Sequence, residues 1–140
     1  AFGWFLAYLR VPALITSALL GVSSNRIVVL LLINILLLAL GTIMDMAPLI
    51  MITTPILLPV TQAIGMDPVQ FGVMMVLNLA IGLCTPPVGA VLFVGCTIGK
   101  ISMEKLTRSL IPFYAAMIAV LMLVTFVPQV VLFVPDLLLK

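Results

Sequence analysis

Histidine is absent from this chain, and only four acidic residues stand against six basic ones in 140 residues. Without histidine, and with so few carboxylates, no transition-metal cluster of ordinary ligands can be assembled. The same scarcity argues against an enzyme, because no lysine or acid sits with a serine inside an apolar stretch to make a nucleophile–base pair. A net charge of +2 is too small and too dispersed for a nucleic-acid partner. The two cysteines, Cys84 and Cys96, lie inside apolar runs, so they read as small buried residues rather than a disulfide framework. The sequence has no initiator methionine and no signal peptide. Its opening Ala1-Phe2-Gly3-Trp4 reads as the end of a preceding helix, which makes the chain a fragment of a longer polypeptide.

What remains is apolar. Hydrophobic residues make up 65% of the chain and charged ones 7%, and the mean hydropathy is +1.48. That composition places the chain in a lipid bilayer as a multi-pass protein. Long apolar runs with ten prolines predict broken helices rather than the alternating strands of a barrel. The fold class expected is all-α and polytopic.

The most informative stretch is Ile81 to Gly89, Ile-Gly-Leu-Cys-Thr-Pro-Pro-Val-Gly, inside an apolar run from Val69 to Ile98. Pro86 and Pro87 lack N–H groups, so the carbonyls of Gly82 and Leu83 lose their helical donors. In lipid such groups survive only when buried in protein or lining a wet cavity. The run therefore predicts a discontinuous transmembrane helix. Thr85 reads as N-cap of the second half, with Pro86 at its first position. N–H groups from Val88 to Ala90 would face back into the break, where the helix dipole favours an anion. The freed carbonyls of the first half suit a small cation. Paired half-helix ends of this kind mark secondary-transporter sites; a plain proline kink is the alternative.

Ile27 to Val60 is a second apolar run, 34 residues long. One helix of that length would reach about 51 Å, against a hydrocarbon core of roughly 30 Å, yet two full crossings need about 40 residues and a turn. A re-entrant hairpin fits, with one arm from Ile27 to Leu40, a tip from Gly41 to Pro48 and a return arm to Gln62. Gly41-Thr42 would break the first arm, Asp45 would cap the second, and Pro55 and Pro59 would kink it.

The rest reads more plainly. Residues 1–26 are expected to hold the end of a preceding helix, with Trp4 and Tyr8 at an interface, and a linking segment from Pro12 to Leu20. The hairpin occupies 27–62 and the broken helix 63–100, after a polar turn at Gly65-Met66-Asp67-Pro68. A charged loop of Lys100, Glu104, Lys105 and Arg108, expected to be cytoplasmic, and a last span from Ile111 to Val134 with an Ala115/Ala116/Ala119 packing stripe fill 101–140.

Asp45 reads equally as a helix cap and as an ion ligand. Asn34 reads as an interhelical hydrogen-bonding amide; Asn78 reads as that or as a brace for freed carbonyls. Gly95-x-x-x-Gly99 reads as helix packing, and Met44, Met46, Met51, Met74 and Met75 as core filling.

Four segments together are specific. Gly41-x-x-Met44-Asp45-x-x-Pro48, Pro55-Ile56-Leu57-Leu58-Pro59, Gly65-x-Asp67-Pro68-x-x-Phe71-Gly72 and Asn78-x-x-Ile81-Gly82-Leu83-x-Thr85-Pro86-Pro87-Val88-Gly89 resemble the large membrane subunit of tripartite ATP-independent periplasmic (TRAP) transporters, in its C-terminal portion. The resemblance implies an elevator-type sodium symporter in the bacterial inner membrane. It implies a small membrane subunit and a periplasmic solute-binding protein as partners. The substrate implied is a small organic acid, a C4-dicarboxylate or a sialic-acid-like solute. The family fold has two inverted repeats, each with a hairpin and a broken helix, and this chain would hold the second. By position, sodium would fall to Gly41, Thr42, Met44, Gly82 and Thr85. Asp45, Asn78, Pro86, Pro87, Val88 and Gly89 would serve the substrate or support the site. No cofactor is implied beyond sodium as coupling ion. The rival from another class is a membrane assembly or anchor subunit that transports nothing.

Overall fold

The computed structural model describes residues 10–22 and 25–138, which form seven α-helices and no strand. The expectation of an interfacial Trp4 and Tyr8 lies outside the described residues. Helix α1 covers Val11–Val22, somewhat longer than the linking segment expected there.

Short polar side chains decide where the next helices begin. Asn25 accepts the Ile27 N–H at 3.0 Å and opens α2, Arg26–Ile43. Asp45 accepts the Met46 N–H at 2.9 Å and opens α3, Met46–Ala63, acting as the expected cap. Only Met44 and Asp45 join the two. The first arm does not end at Leu40, because Gly41 and Thr42 are helical and the helix runs to Ile43. Thr42 lies within the helix with its hydroxyl donated to the Ala39 carbonyl at 2.8 Å, a bond made within its own turn. Pro55 and Pro59 both lie inside α3, which continues across them.

Gly65, at φ 81°, turns the chain towards α4, Pro68–Leu83. Asp67 caps α4 by accepting the Val69 N–H at 2.8 Å, with Pro68 in the first turn. The second half of the broken helix, α5, covers Ala90–Gly99. Its N-cap is Gly89 in left-handed geometry, φ 49°, and not Thr85. The cis Pro86–Pro87 pair and Val88 stay in the turn, so the helix starts four residues later than a threonine cap requires.

The last part differs most from expectation. Between α5 and α6, Met103–Phe126, the chain has only the left-handed Lys100, Ile101 and the cap Ser102. Glu104, Lys105 and Arg108 therefore stand on the first turns of α6 rather than in a loop. Nor does one span reach Val134: α6 stops at Phe126, and Pro128 begins α7, Pro128–Leu138. Ala115, Ala116 and Ala119 are exposed, so they are not a packing stripe within this chain.

Helix α4 is the hub. It packs against α2 most extensively, then against α3, α6 and α7. Phe71, Met74 and Leu79 of α4 are buried with Val29, Leu30, Ile33 and Leu37 of α2 and Leu121 of α6. Of the methionines expected to fill the core, Met74 and Met75 do so, whereas Met44 and Met51 are exposed. Gly95 meets Leu106 of α6 and so serves packing, but Gly99 meets only Ile101 beside it in sequence. Three helices, α2, α3 and α6, are long and apolar enough to cross a membrane.

Because lipid is as apolar as leucine, close packing and hydrogen bonds hold such helices together rather than the hydrophobic effect. Two contacts fix α2 parallel to α4: Gly41 against Gly82, and Asn34 bonded to Asn78. Helix α3 then runs back, so both ends of the α2–α3 pair lie towards the start of α4, and their turn lies at its end.

Candidate functional site

Where α2 and α4 end together, two more helices begin. The C-termini of α2 and α4 and the N-termini of α3 and α5 enclose a cavity of about 50 Å³. Gly41, Thr42, Ile43, Met44 and Asp45 line it from the turn, and Leu83, Val88 and Ala90 from the break. A space of this size admits a few waters or a small ion rather than a bulky organic solute.

Glycine makes the approach possible. A Cβ on Gly82 would lie 2.6 Å from the Gly41 carbonyl carbon and 2.7 Å from its Cα. The two helices meet backbone to backbone, which brings their terminal carbonyls to one place. The tip is also tied to the far side of the break, since the Gly89 N–H donates to the Thr42 carbonyl at 3.4 Å.

The carbonyls at the end of α4 are not equivalent. Ile81 O receives the Cys84 N–H at 3.1 Å and the Thr85 hydroxyl at 2.7 Å. Gly82 O receives the Thr85 N–H at 2.9 Å, so it is not free as the proline spacing alone predicts. Cys84 O receives the hydroxyl of Tyr114, from α6. Among the described residues no hydrogen bond reaches Leu83 O, whose helical donor would have been Pro87. Leu83 lines the cavity. Each α-helix C-terminus also carries roughly half a negative charge, and two converge here. The N-terminus of α5 has no side-chain cap; Gly89 N–H bonds Thr42 O and Leu92 N–H bonds Gly89 O, which leaves the N–H groups of Ala90 and Val91 open to an anion. Asp45 already answers the N-terminus of α3.

The predicted residues thus divide. Gly41, Thr42, Met44, Asp45 and Val88 border the cavity. Gly82 makes the close contact behind it, Thr85 turns its hydroxyl to Ile81, and Gly89 caps α5. Pro86 faces a groove shared with Met103, Thr107 and Ile111 of α6, and Pro87 is exposed. Met44 borders the cavity and is partly exposed as well.

Asn78 belongs elsewhere. Its Nδ2 donates to Asn34 Oδ1 at 2.6 Å and to Met74 O at 2.9 Å. Asn34 Nδ2 donates in turn to the Thr125 hydroxyl at 3.2 Å, and that hydroxyl to Leu121 O at 2.7 Å. This ladder, buried to 2% exposure or less, links α2, α4 and α6. Asn78 therefore bonds across helices and does not brace the break. Its Oδ1 has no partner. Below it, Gln70 donates to Val124 O at 3.0 Å and Thr125 O at 2.9 Å. Val124 is the residue whose carbonyl Pro128 deprives of a helical donor. Sequence reading passed over Gln70, Tyr114 and Thr125; only the Val124–Pro128 spacing could have signalled that a donor was needed.

No group of three or more histidine, cysteine, aspartate or glutamate residues gathers among the described residues. The lining residues carry oxygen on their backbone and on the Thr42 and Asp45 side chains, the ligand type that hard cations prefer.

Comparison with known proteins places the chain. It is 50% identical over 134 residues to a Salmonella typhimurium protein called uncharacterized protein YgiK, covering 96% of this chain and 31% of that protein. It is 46% identical over 132 residues to the isethionate TRAP transporter permease protein of Oleidesulfovibrio alaskensis, covering 94% and 21%. It is 44% identical over 136 residues to the sialic acid TRAP transporter large permease protein of Vibrio cholerae, covering 97% and 32%. The chain therefore spans less than a third of the length of these relatives. Residues 1–130 match the family described as tripartite ATP-independent periplasmic transporter, DctM component, and the chain belongs to that family.

Proposed function

We propose that this chain forms the part of a sodium-coupled importer in which the coupling ion binds, between the α2–α3 turn and the α4–α5 break. The observation that carries this reading is the Leu83 carbonyl, left without a donor among the described residues, in a residue that lines a cavity of about 50 Å³ where four helix ends meet. The fit to sodium is chemical: a small volume whose lining residues bring oxygen from the backbone and from the Thr42 and Asp45 side chains. Backbone oxygens of Gly41, Thr42, Met44 and Leu83 make the ligand set. Gly82 supports it through its contact with Gly41, and Thr85 brings its hydroxyl oxygen to the edge.

The α2–α3 pair acts as a re-entrant hairpin. Its ends lie towards Asp67 and its turn lies against the break. Helices α4 and α5, of 16 and 10 residues, together rise about 39 Å, more than the roughly 30 Å of hydrocarbon. The break, and with it the turn, then sits within the membrane. Positive charge at Lys100, Lys105 and Arg108 sets that end in the cytoplasm, with Asp67 and Arg26 periplasmic.

The solute is a small organic acid, a carboxylate or sulfonate. Two relatives are named for isethionate and sialic acid, both anions, and the open N–H groups of α5 face the break where an acid group can reach them. It arrives from a periplasmic binding protein, with a small membrane subunit alongside, in a bacterial inner membrane. Cation and solute cross together as this unit moves in an elevator manner.

The test is uptake of labelled sialic acid and isethionate by the full-length protein with its partners in liposomes, with and without a sodium gradient. Accumulation that needs inward sodium supports the reading. Partner binding without uptake of either acid, and without sodium-specific stabilisation, would return the chain to an anchoring role.

A further inference from the structure

Tyr114 is the unexpected participant at the break. It stands on α6, thirty residues from Cys84 in sequence, and donates its hydroxyl to the Cys84 carbonyl at 2.5 Å. That carbonyl belongs to the C-cap of α4, and its usual donor would be the N–H of Val88, which the Pro86–Pro87 turn carries away. The neighbouring carbonyls are held from within the turn, Ile81 O by Thr85 and Cys84, Gly82 O by Thr85. Only Cys84 O is held from another helix. The result is selective: of the four carbonyls from Ile81 to Cys84, one is left over among the described residues, Leu83 O, and Leu83 lines the cavity.

We infer that Tyr114 is a positioning residue for the cation site, fixing which carbonyl of the α4 end is presented to the ion. It does not touch the ion. By keeping the Cys84 carbonyl turned to α6, it holds the Leu83–Cys84–Thr85 peptides in one arrangement. Without the hydroxyl, Cys84 O is an unsatisfied group at a helix end and draws the turn towards another donor. The adjacent Leu83 carbonyl then loses its fixed direction. This inference rests on the sodium reading above.

The experiment uses the purified full-length protein in detergent, with sodium chloride as probe and choline chloride as ionic control. The readout is the sodium concentration giving half-maximal thermal stabilisation. Tyr114→Phe keeps the ring and removes only the donor; the half-saturating concentration is expected to rise by about five- to fiftyfold. A merely structural tyrosine predicts a lower melting temperature without sodium and an unshifted half-saturation, and that result overturns the inference. Tyr114→4-aminophenylalanine keeps size and a weaker donor, and is expected to fall between the two. If Tyr114→Phe does not fold, the amino variant decides: half-saturation equal to that of the unaltered protein overturns the inference, and a raised value supports it. Absence of sodium-specific stabilisation in the unaltered protein sinks the sodium reading itself, and this inference with it. Sodium-specific stabilisation left unshifted by Tyr114→Phe sinks the role of Tyr114 alone.

Discussion

Gly82 and Gly41 touch through bare backbone, and the contact is asymmetric. A Cβ on Gly82 would enter the Gly41 main chain at 2.6–2.7 Å, whereas one on Gly41 would meet Leu79 Cα, Gly82 Cα and Leu79 O at 3.2, 3.3 and 3.4 Å. Nothing at those distances is the flexible end of a side chain. Gly82→Ala must therefore push α2 and α4 apart, at a cost of about 1–3 kcal/mol or more, while Gly41→Ala costs less. Thermal unfolding of the two variants checks the order; equal melting temperatures would show that the helices are not in contact here.

Thr85 offers a second test. Its hydroxyl donates to Ile81 O, which leaves the oxygen's lone pairs able to accept; on the sodium reading they face a cation at the edge of the site. Thr85→Ala is expected to raise half-saturating sodium about tenfold in uptake, with partial recovery at high sodium. Thr85→Ser keeps the oxygen and is expected to be mild. Initial rates against sodium concentration for the three proteins make the comparison, and an unshifted curve for Thr85→Ala removes Thr85 from the site.

The amide ladder calls for a double-mutant cycle. Asn34→Ala, Asn78→Ala and the pair together should show a coupling of about 0.6 kcal/mol, up to about 1.7, as for other hydrogen bonds between membrane helices. Denaturant unfolding in detergent measures it. Strict additivity would mean that the 2.6 Å bond contributes nothing to holding α2 on α4.

Gln70 separates stability from function. Its amide supplies the donors that Val124 O and Thr125 O lack at the end of α6. Gln70→Leu leaves both carbonyls unsatisfied and is expected to lower stability by about 1–3 kcal/mol. Sodium half-saturation should not move, since Gln70 sits at the far end of α4 from the cavity. A shifted half-saturation would couple the two ends.

Topology is checked with single cysteines in an otherwise cysteine-free protein. Asp67→Cys is expected to react with an impermeant maleimide from the periplasmic side and Lys100→Cys from the cytoplasmic side. The reverse pattern would invert the hairpin.

Much of this architecture could be read from residue order. Prolines without N–H groups announce a break, and Asp45 and Asp67 announce helix starts, because those effects act within one turn of chain. What failed depended on distant partners or on turn geometry. Thr85 has the chemistry of a cap, but the Pro86–Pro87 turn occupies the residues where its helix would begin, so Gly89 takes the role. Gly82 O looked free because its replacement donor, Thr85 N–H, arises only once the turn has formed. Tyr114 could not be paired with Cys84 from spacing at all, since α6 carries it there.

The oxygen that Leu83 offers is main chain, and on the sodium reading that has a consequence for engineering. No point substitution can exchange a peptide oxygen for a different kind of ligand. At that ligand, discrimination between cations of different radius would be altered by sliding one helix against its neighbour, not by swapping the Leu83 side chain. Mutational libraries directed at the lining residues would mostly sample losses. The productive changes lie in the second layer, where helix spacing is set.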